Sequence, residues 1–169
     1  MSSLKELDLS YNEMNGTILE SFGQLSKLVK LFLLENSWDG VITEAQLMNL
    51  RSLEEFMLTS NKSQSLVFNV THDWRPPFKL KALYLESCRI IGPKFPVWLQ
   101  VQSELTYVTL TNVGFEGTIP EEWLSTISSQ LTHLDLSNNQ IKGNLPHQLV
   151  FINLARPFLD RRASCRERV

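Results

Sequence analysis

Residues 131–146, LTHLDLSNNQIKGNLP, decide the fold of this chain. Apolar residues, an asparagine, a glycine and a proline are spaced in it as LxxLxLxxNxIxGxLP. The alternation of Leu134 and Leu136 predicts a short strand with one buried face. Asn139 follows where the chain turns inward, and its amide can donate to and accept from backbone groups that a buried turn leaves unpaired. Gly143 then supplies the backbone freedom that a tight bend needs.

The same spacing recurs along the whole chain. The first leucines of the units fall at positions 4, 28, 53, 80, 105 and 131, so the period stays near 25 residues. The asparagine position is occupied by Asn12, Asn36, Asn61, Cys88, Val113 and Asn139. One strand and one return path cannot bury their apolar face alone, so stacked units must share a continuous core. At the Cys and Val positions we expect neighbouring groups or water to satisfy the turn.

The repeat predicts an α/β-class solenoid over residues 1–155, with a parallel sheet on its concave side. We expect few helices, because the return paths carry Pro and Gly. Residues 156–169 fit no unit and carry five arginines against two acidic residues, which indicates a basic tail outside the solenoid. The sequence also shows no end caps, so the outer leucine layers are expected to be exposed and the ends to fray or self-associate.

Residues 62–79 depart from the regular unit. An extra strand is predicted by three alternating apolar residues, Leu66, Phe68 and Val70. One interpretation is a convex excursion in which Trp74 and Phe78 pack on the core. The other is a ligand-binding island, which is less favoured because the insertion is only a few residues longer than its neighbours.

Composition excludes several classes of protein. A hydrophobic content of 43% is typical of a folded chain, and a net charge of −2 gives no reason to expect nucleic-acid binding. Cys88 and Cys165 are too few for a disulfide framework. No apolar run is long enough to span a bilayer, and the first ten residues already follow the repeat, so no secretory signal is expected in this chain.

Catalysis finds little support in the sequence, and we expect no enzyme activity, no cofactor and no metal site. The chain has no Gly-x-Ser-x-Gly elbow, phosphate-binding glycine loop or His-Glu-x-x-His motif. His133 and Asp135 face outward on one predicted strand, and we interpret them as solvated residues of a variable face. Cys88 lies at a buried position of the repeat and is not a candidate metal ligand.

Binding by the concave face is better supported. The residue between the second and third leucines forms one column across the units: Asp8, Phe32, Met57, Tyr84, Thr109 and Asp135. The column before it contains Glu6, Lys30, Glu55, Ala82, Tyr107 and His133. With strands about 4.8 Å apart, Phe32, Met57, Tyr84 and Tyr107 are predicted to form an exposed apolar stripe that binds a ligand. Alternatively these side chains cover the neighbouring strand or contact a segment absent from this chain.

Three Asn-x-Ser/Thr sequences are glycosylation acceptors if the chain is secreted. Asn15 and Asn69 fall on return paths and are the candidate glycosylation sites. Asn61 occupies the asparagine position of the third unit, where a glycan is expected to clash with stacking. Such short sequences also arise by chance.

Several phrases make a more specific resemblance. GTIPEEW (117–123) and LDLSNNQIKGNLP (134–146) resemble the plant type of leucine-rich repeat. NSWDGVITEAQLMNLRSLEEF (36–56) and VTHDWRPPFKLKALYLESCRIIGPKFPVWLQVQSELTYVTLTNVGFEGTIPEEW (70–123) narrow it further. Together they resemble the extracellular domains of plant receptor-like proteins of the fungal-xylanase-receptor and disease-resistance type. The resemblance covers about residues 1–150.

This resemblance implies a glycoprotein of plant defence on the extracellular side of the cell membrane. It implies a protein or peptide ligand, a membrane helix outside this chain, and signal transduction through a partner co-receptor kinase. The chain is then expected to be an interior part of a longer ectodomain. Two alternatives remain: an inhibitor-type repeat protein that docks on an extracellular enzyme, and a structural spacer of a longer solenoid.

Overall fold

Each unit of the repeat contributes one strand to a parallel, inward-curving sheet. The computed structural model describes residues 3–62, 64–92 and 95–143. The end of the sixth unit and the predicted basic tail, residues 156–169, lie outside the described residues. No helix among the described residues has both the length and the hydropathy to cross a bilayer.

The elements are short, as the repeat predicts. The strands are β1 (Glu6–Asp8), β2 (Asn15–Thr17), β3 (Lys30–Ile42), β4 (Glu55–Ser60), β5 (Leu66–Phe68), β6 (Ala82–Glu86), β7 (Arg89–Ile90), β8 (Tyr107–Thr111), β9 (Glu116–Gly117), β10 (His133–Asp135) and β11 (Gln140–Ile141). A 3-10 helix spans Glu20–Gln24, and the α-helices are α1 (Glu44–Leu47), α2 (Val97–Gln100) and α3 (Glu121–Ile127). The prediction of few helices is therefore confirmed for the described part of the chain.

Two layers of parallel strands build the solenoid. The concave sheet follows the order β1, β3, β4, β6, β8 and β10, one strand from each successive unit. The lateral layer pairs β2 and β5 with the second half of β3, then β5 with β7, and β9 with β11. β3 belongs to both layers because its 13 residues continue through the turn between them.

A file of leucines occupies the centre of the concave sheet. Leu33, Leu58, Leu85 and Leu110 lie opposite one another in register, and each is completely buried. The first leucine of each unit is also buried from Leu28 onward. This arrangement confirms the predicted stacking of apolar layers.

Asparagine side chains close the turns between the two layers. The Asn36 amide is fully buried and donates to the carbonyl of Leu9 at 2.8 Å, while its oxygen accepts from the Met14 nitrogen at 3.1 Å. Asn139 accepts in the same way from the nitrogen of Val113, at 3.1 Å. The expectation that neighbours satisfy the turn at the Val position is therefore confirmed, because the supporting amide comes from the next unit.

The third unit departs from the predicted register. Asn61 is exposed, and Ser60 lies opposite Asn36 after an irregularity in the pairing of β3 and β4. Ser60 Oγ donates to the carbonyl of Trp38 at 2.5 Å. The prediction that Asn61 occupies the buried asparagine position is wrong, because the chain here passes the turn one residue earlier. The clash expected for a glycan at Asn61 depended on that buried position and is therefore not expected either.

Backbone dihedral angles show the cause of this difference. In the other five units a left-handed residue immediately precedes the asparagine position: Tyr11, Glu35, Ser87, Asn112 and Asn138. In the third unit the left-handed residue is Gln64, beyond the turn. Without the left-handed residue before it, Asn61 is not directed into the core.

Residues 64–79 begin with β5 of the lateral layer and pack on the core. β5 confirms the extra strand, with Leu66 and Phe68 buried, although Val70 lies beyond its end. The Phe78 ring is buried, and Trp74 meets it edge-on with centroids 6.2 Å apart. Phe78 belongs to the core and Trp74 packs on it, as the first of the two interpretations of this segment expects.

Candidate binding surface

The curvature of the concave sheet forms a hollow of about 580 Å³ across the first four units and the edge of the fifth and sixth. Within each strand every second side chain points into the hollow, because successive side chains of a strand point to opposite faces. The lining residues are Glu6, Asp8, Ser10, Tyr11, Lys30, Phe32, Leu34, Glu35, Glu55, Met57, Thr59, Lys81, Ala82, Tyr84, Thr106, Tyr107 and Thr132.

All four residues of the predicted stripe line this hollow. Phe32 lies opposite Met57, and Met57 lies opposite Tyr84, so these three residues are consecutive across three strands. Tyr107 enters from the neighbouring column, opposite Ala82. The hollow therefore has an apolar and aromatic floor.

The stripe is less exposed than predicted. Phe32 and Tyr107 are only 7% and 9% exposed, and the Tyr107 ring stacks on His133 with centroids 4.3 Å apart. The prediction of an exposed stripe is wrong for these two residues, because neighbouring side chains cover them. Met57 and Tyr84 are half-buried and supply the accessible apolar surface.

Charged side chains surround the floor. Lys30 Nζ lies 2.8 Å from Glu55 Oε1, and Lys81 Nζ lies 2.8 Å from Glu54 Oε2. Asp8 and Glu35 lie at the end formed by the first two units, and no lysine, arginine or histidine of the described residues forms an ion pair with either. The hollow is consequently acidic at one end.

Tyr84 links the floor to a carboxylate that is not among the lining residues. Its hydroxyl donates to Glu86 Oε2 at 2.6 Å. Burial and this hydrogen bond raise the pKa of Tyr84 well above its usual value, and the Glu35 carboxylate raises it further. Tyr84 therefore remains a neutral hydrogen-bond donor.

Sequence reasoning missed Tyr11 and Glu35 as lining residues. Both have a left-handed backbone, with φ of 58° and 51°, and both immediately precede the asparagine position of their unit. The columns considered from the sequence end at Asp8 and Phe32, three residues before these two positions. Their constant position, one residue before the asparagine of the unit, is the sequence feature that could have identified them.

His133 and Asp135 are half-buried and do not form a solvated pair. Burial lowers the pKa of His133, an effect that the Asp135 charge partly offsets. Burial opposes ionisation of Asp135, but hydrogen bonds from Ser137 and the His133 charge hold its pKa below the usual value. The prediction that both are solvated is wrong, because His133 is covered by Tyr107 and contacts Thr109 Oγ1 at 3.2 Å.

The remaining candidate residues lie apart from the hollow. Cys88 is buried in the core, and burial raises its thiol pKa to about 12. Asn15 on β2 and Asn69 just after β5 are both exposed. No group of three or more His, Cys, Asp or Glu that could hold a metal ion occurs in the described part of the chain.

Known sequences match this architecture. The family model for the Leucine Rich Repeat matches residues 3–25 and 130–152, which correspond to the first and the sixth unit. Receptor-like protein EIX1 of Solanum lycopersicum is 40% identical over 87 residues, which make up 52% of this chain and 8% of that protein. Receptor-like protein 1 of Arabidopsis thaliana is 37% identical over 126 residues, or 73% of this chain and 11% of that protein. The chain thus spans about a tenth of the length of these relatives.

Solved structures of plant receptor ectodomains have the same fold. The ectodomain of the Arabidopsis thaliana membrane receptor kinase GASSHO1/SCHENGEN3 superposes with a TM-score of 0.69 and 29% identity, over 87% of this chain and 17% of that one. The ectodomain of the Arabidopsis receptor kinase HAESA gives a TM-score of 0.68 and 27% identity, over 84% of this chain and 22% of that one. The chain therefore has the leucine-rich-repeat fold, and the known sequences that it resembles are plant receptor-like proteins.

Proposed function

We propose that this chain is a ligand-recognition part of a plant cell-surface receptor-like protein and that the concave hollow binds a protein or peptide. In the full-length protein the site faces the extracellular side, performs no catalysis, and signals through a partner receptor kinase. Glycans at Asn15 and Asn69 are compatible with this role, since both side chains are exposed and outside the hollow.

The observation that carries the proposal is the accessible apolar floor around Met57 and Tyr84. A concave surface that combines apolar area with a few polar groups is the usual form of a binding site. Aromatic and methionine side chains are also enriched where proteins bind one another.

The similar solved structures support a peptide as the ligand. The GASSHO1/SCHENGEN3 ectodomain was solved in complex with CASPARIAN STRIP INTEGRITY FACTOR 2, and the HAESA ectodomain with an IDA peptide hormone ligand that carries an N-terminal extension. Both are leucine-rich-repeat ectodomains that superpose on most of this chain. A peptide laid along the concave face of this chain would cross several strands and contact one side chain from each unit.

The test is a selection of displayed random peptides on the immobilised chain, followed by affinity measurements on the Met57→Lys variant. Lysine at position 57 places a charge on the floor, so we expect the selected peptides to lose about tenfold or more in affinity. Met48→Lys is the matched control, because Met48 is 53% exposed and is not among the lining residues. Equal binding by both variants, or failure to enrich any peptide, would contradict the proposal.

A further inference from the structure

The hollow is divided into a charged end and an apolar floor, and this division restricts what can bind there. It is lined by four carboxylates and two ammonium groups: Glu6, Asp8, Glu35 and Glu55 against Lys30 and Lys81. Both lysines are already paired with glutamates at 2.8 Å. The unbalanced charge of the hollow is therefore negative.

The negative charge is concentrated at the end formed by the first two units. Glu6 lies in register beside Lys30, but the Lys30 ammonium pairs with Glu55, so these three residues keep one excess negative charge. Asp8 and Glu35 belong to other columns and form no ion pair among the described residues. Asp8 Oδ1 accepts one hydrogen bond, from the Ser10 nitrogen at 2.9 Å, which leaves its second oxygen for a ligand.

Tyr11 adds an aromatic surface to the same end. It is 62% exposed although it is a large side chain, and it lines the hollow together with Glu35. Its nitrogen donates to the Leu34 carbonyl at 2.9 Å, which fixes its backbone beside that of Glu35. Two carboxylates and an exposed aromatic ring are the groups with which proteins hold a guanidinium or ammonium ion.

Resting on the function proposed above, we infer that the hollow binds a basic-apolar peptide segment, with an arginine or lysine between Asp8, Tyr11 and Glu35 and an apolar side chain over Met57 and Tyr84. Charge complementarity selects this occupant over an acidic peptide, because like charges facing one another across an interface are strongly disfavoured. Met57 lies two strands from Asp8, or about 10 Å, which an extended peptide covers in about three residues. The cation and the apolar side chain are therefore three to four residues apart.

The inference is tested with three pools of fluorescein-labelled synthetic peptides of the form Leu-x-x-Arg-x-x-Leu, Leu-x-x-Gln-x-x-Leu and Leu-x-x-Glu-x-x-Leu, where x is Ser, Gly, Thr or Asn. Leucines on both sides allow for either direction of the peptide chain. By fluorescence polarisation, we expect the Arg pool to bind about tenfold more tightly than the Gln pool, and the Glu pool to bind most weakly. Raising the salt from about 50 mM to about 500 mM should reduce the ratio between the Arg and Gln pools.

The decisive variant is Asp8→Asn with Glu35→Gln. Asn at position 8 keeps the acceptor for the Ser10 nitrogen, and Gln at position 35 keeps the side-chain length, so the fold should persist. This variant should bring the Arg-to-Gln ratio close to one while leaving the Gln pool unaffected. The control is Glu121→Gln with Glu122→Gln on α3, which removes the same charge from an exposed surface outside the hollow and should leave the ratio unchanged.

The outcomes separate this inference from the proposed function. If the Gln pool binds and Met57→Lys abolishes that binding, but the Arg and Gln pools bind equally, the hollow is a peptide site and the inference about charge is overturned. An Arg preference that survives in the Asp8→Asn, Glu35→Gln variant also overturns it. If no pool binds in a manner that depends on Met57, the inference and the proposed peptide function are both contradicted.

Discussion

A single amide at position 36 connects two units of the solenoid. Asn36 donates to the carbonyls of Leu9 and Leu34, at 2.8 Å and 3.0 Å, and accepts from the Met14 nitrogen. Two of these three partners belong to the preceding unit. The side chain thus satisfies backbone groups that burial would otherwise leave unpaired.

We predict that Asn36→Ala lowers the free energy of unfolding by about 1–3 kcal/mol, because it leaves buried backbone groups without partners. Asn12→Ala is the control. Asn12 has the corresponding position in the first unit but is exposed, so its loss should cost no more than about 0.5 kcal/mol. Urea unfolding of both variants measures the difference, and equal losses would contradict the role assigned to burial.

Because the Cys88 thiol is buried, we predict that the chain loses stability in alkaline solution. Its pKa is raised by burial from an ordinary 9.0 to about 12, so the folded chain keeps a proton that the unfolded chain releases above pH 9. The unfolded state then binds fewer protons, and the free energy of unfolding must fall with pH, by up to about 1.4 kcal/mol per pH unit.

Cys88→Ala should therefore show a shallower decline in stability between about pH 9 and pH 10.5 than the parent chain. The measurement is urea unfolding at a series of pH values, with a reducing agent throughout. The absolute stability of the variant will be lower because it leaves a cavity, but only the slope decides. Parallel slopes for both proteins would show that Cys88 is not the titrating group.

The sequence predicted the members of the apolar stripe but not how deeply each is buried. Phe32 and Tyr107 follow the same pattern as Met57, and nothing local to them indicates their low exposure. Their exposure depends on side chains in the adjoining units, such as the His133 ring that covers Tyr107. Spacing within a unit places a residue on the concave face, whereas its depth is decided by contacts about 25 residues away along the chain.

At the scale of elements, the lateral layer requires close approach between β2 and β3. Gly40 of β3 has a φ of 85°, and a Cβ built on it would lie 2.4 Å from Thr17 Cγ2. Gly16 of β2 has a similar φ of 88°, but a Cβ there would meet nothing within 4 Å. Substitutions at the two glycines can therefore distinguish the cost of backbone strain from the cost of a packing clash.

We predict that Gly40→Ala destabilises the chain by at least about 1 kcal/mol more than Gly16→Ala. Both changes carry the left-handed penalty of about 1–2 kcal/mol, and only the first adds a clash between strands. Adding Thr17→Ser, which deletes the methyl group, should recover the additional loss. Thermal or urea unfolding of the three variants is sufficient, and equal effects at positions 40 and 16 would refute the packing argument.

The repeat predicted the order of the elements, but it did not predict the register of the third unit. The spacing of leucines gave every concave strand, and alternation gave β5. It also placed Asn61 in the buried position, although Ser60 lies opposite Asn36 instead. The difference depends on which residue adopts a left-handed conformation, and several residue types can do so at this offset, including Tyr and Glu.

At the scale of the whole molecule, the solenoid is stabilised by contacts between neighbouring units. The second to fifth units have a neighbouring unit on both sides, whereas Leu4 of the first unit is 40% exposed and Met14 is 39% exposed. Units with one neighbour have fewer contacts to lose when they open. Stability should therefore decrease towards the first unit.

Hydrogen exchange followed by mass spectrometry tests this gradient. We expect amides of β6, with a neighbouring strand on each side, to be the best protected, and amides of β1 to exchange at least about tenfold faster. Adding urea should increase exchange in β1 first. Uniform protection from β1 to β8, in a protein shown to be monomeric by sedimentation, would contradict the expected fraying.

The left-handed residue before each turn has a consequence for how such a surface can change over evolutionary time. Tyr11, Glu35, Ser87, Asn112 and Asn138 share one backbone geometry but have five distinct positions and four kinds of side chain. At Tyr11 and Glu35, which line the hollow, a substitution by a residue that tolerates this left-handed geometry therefore alters the chemistry of the surface. A new ligand preference can then arise through single substitutions, unit by unit, at little risk to the leucine layers beneath.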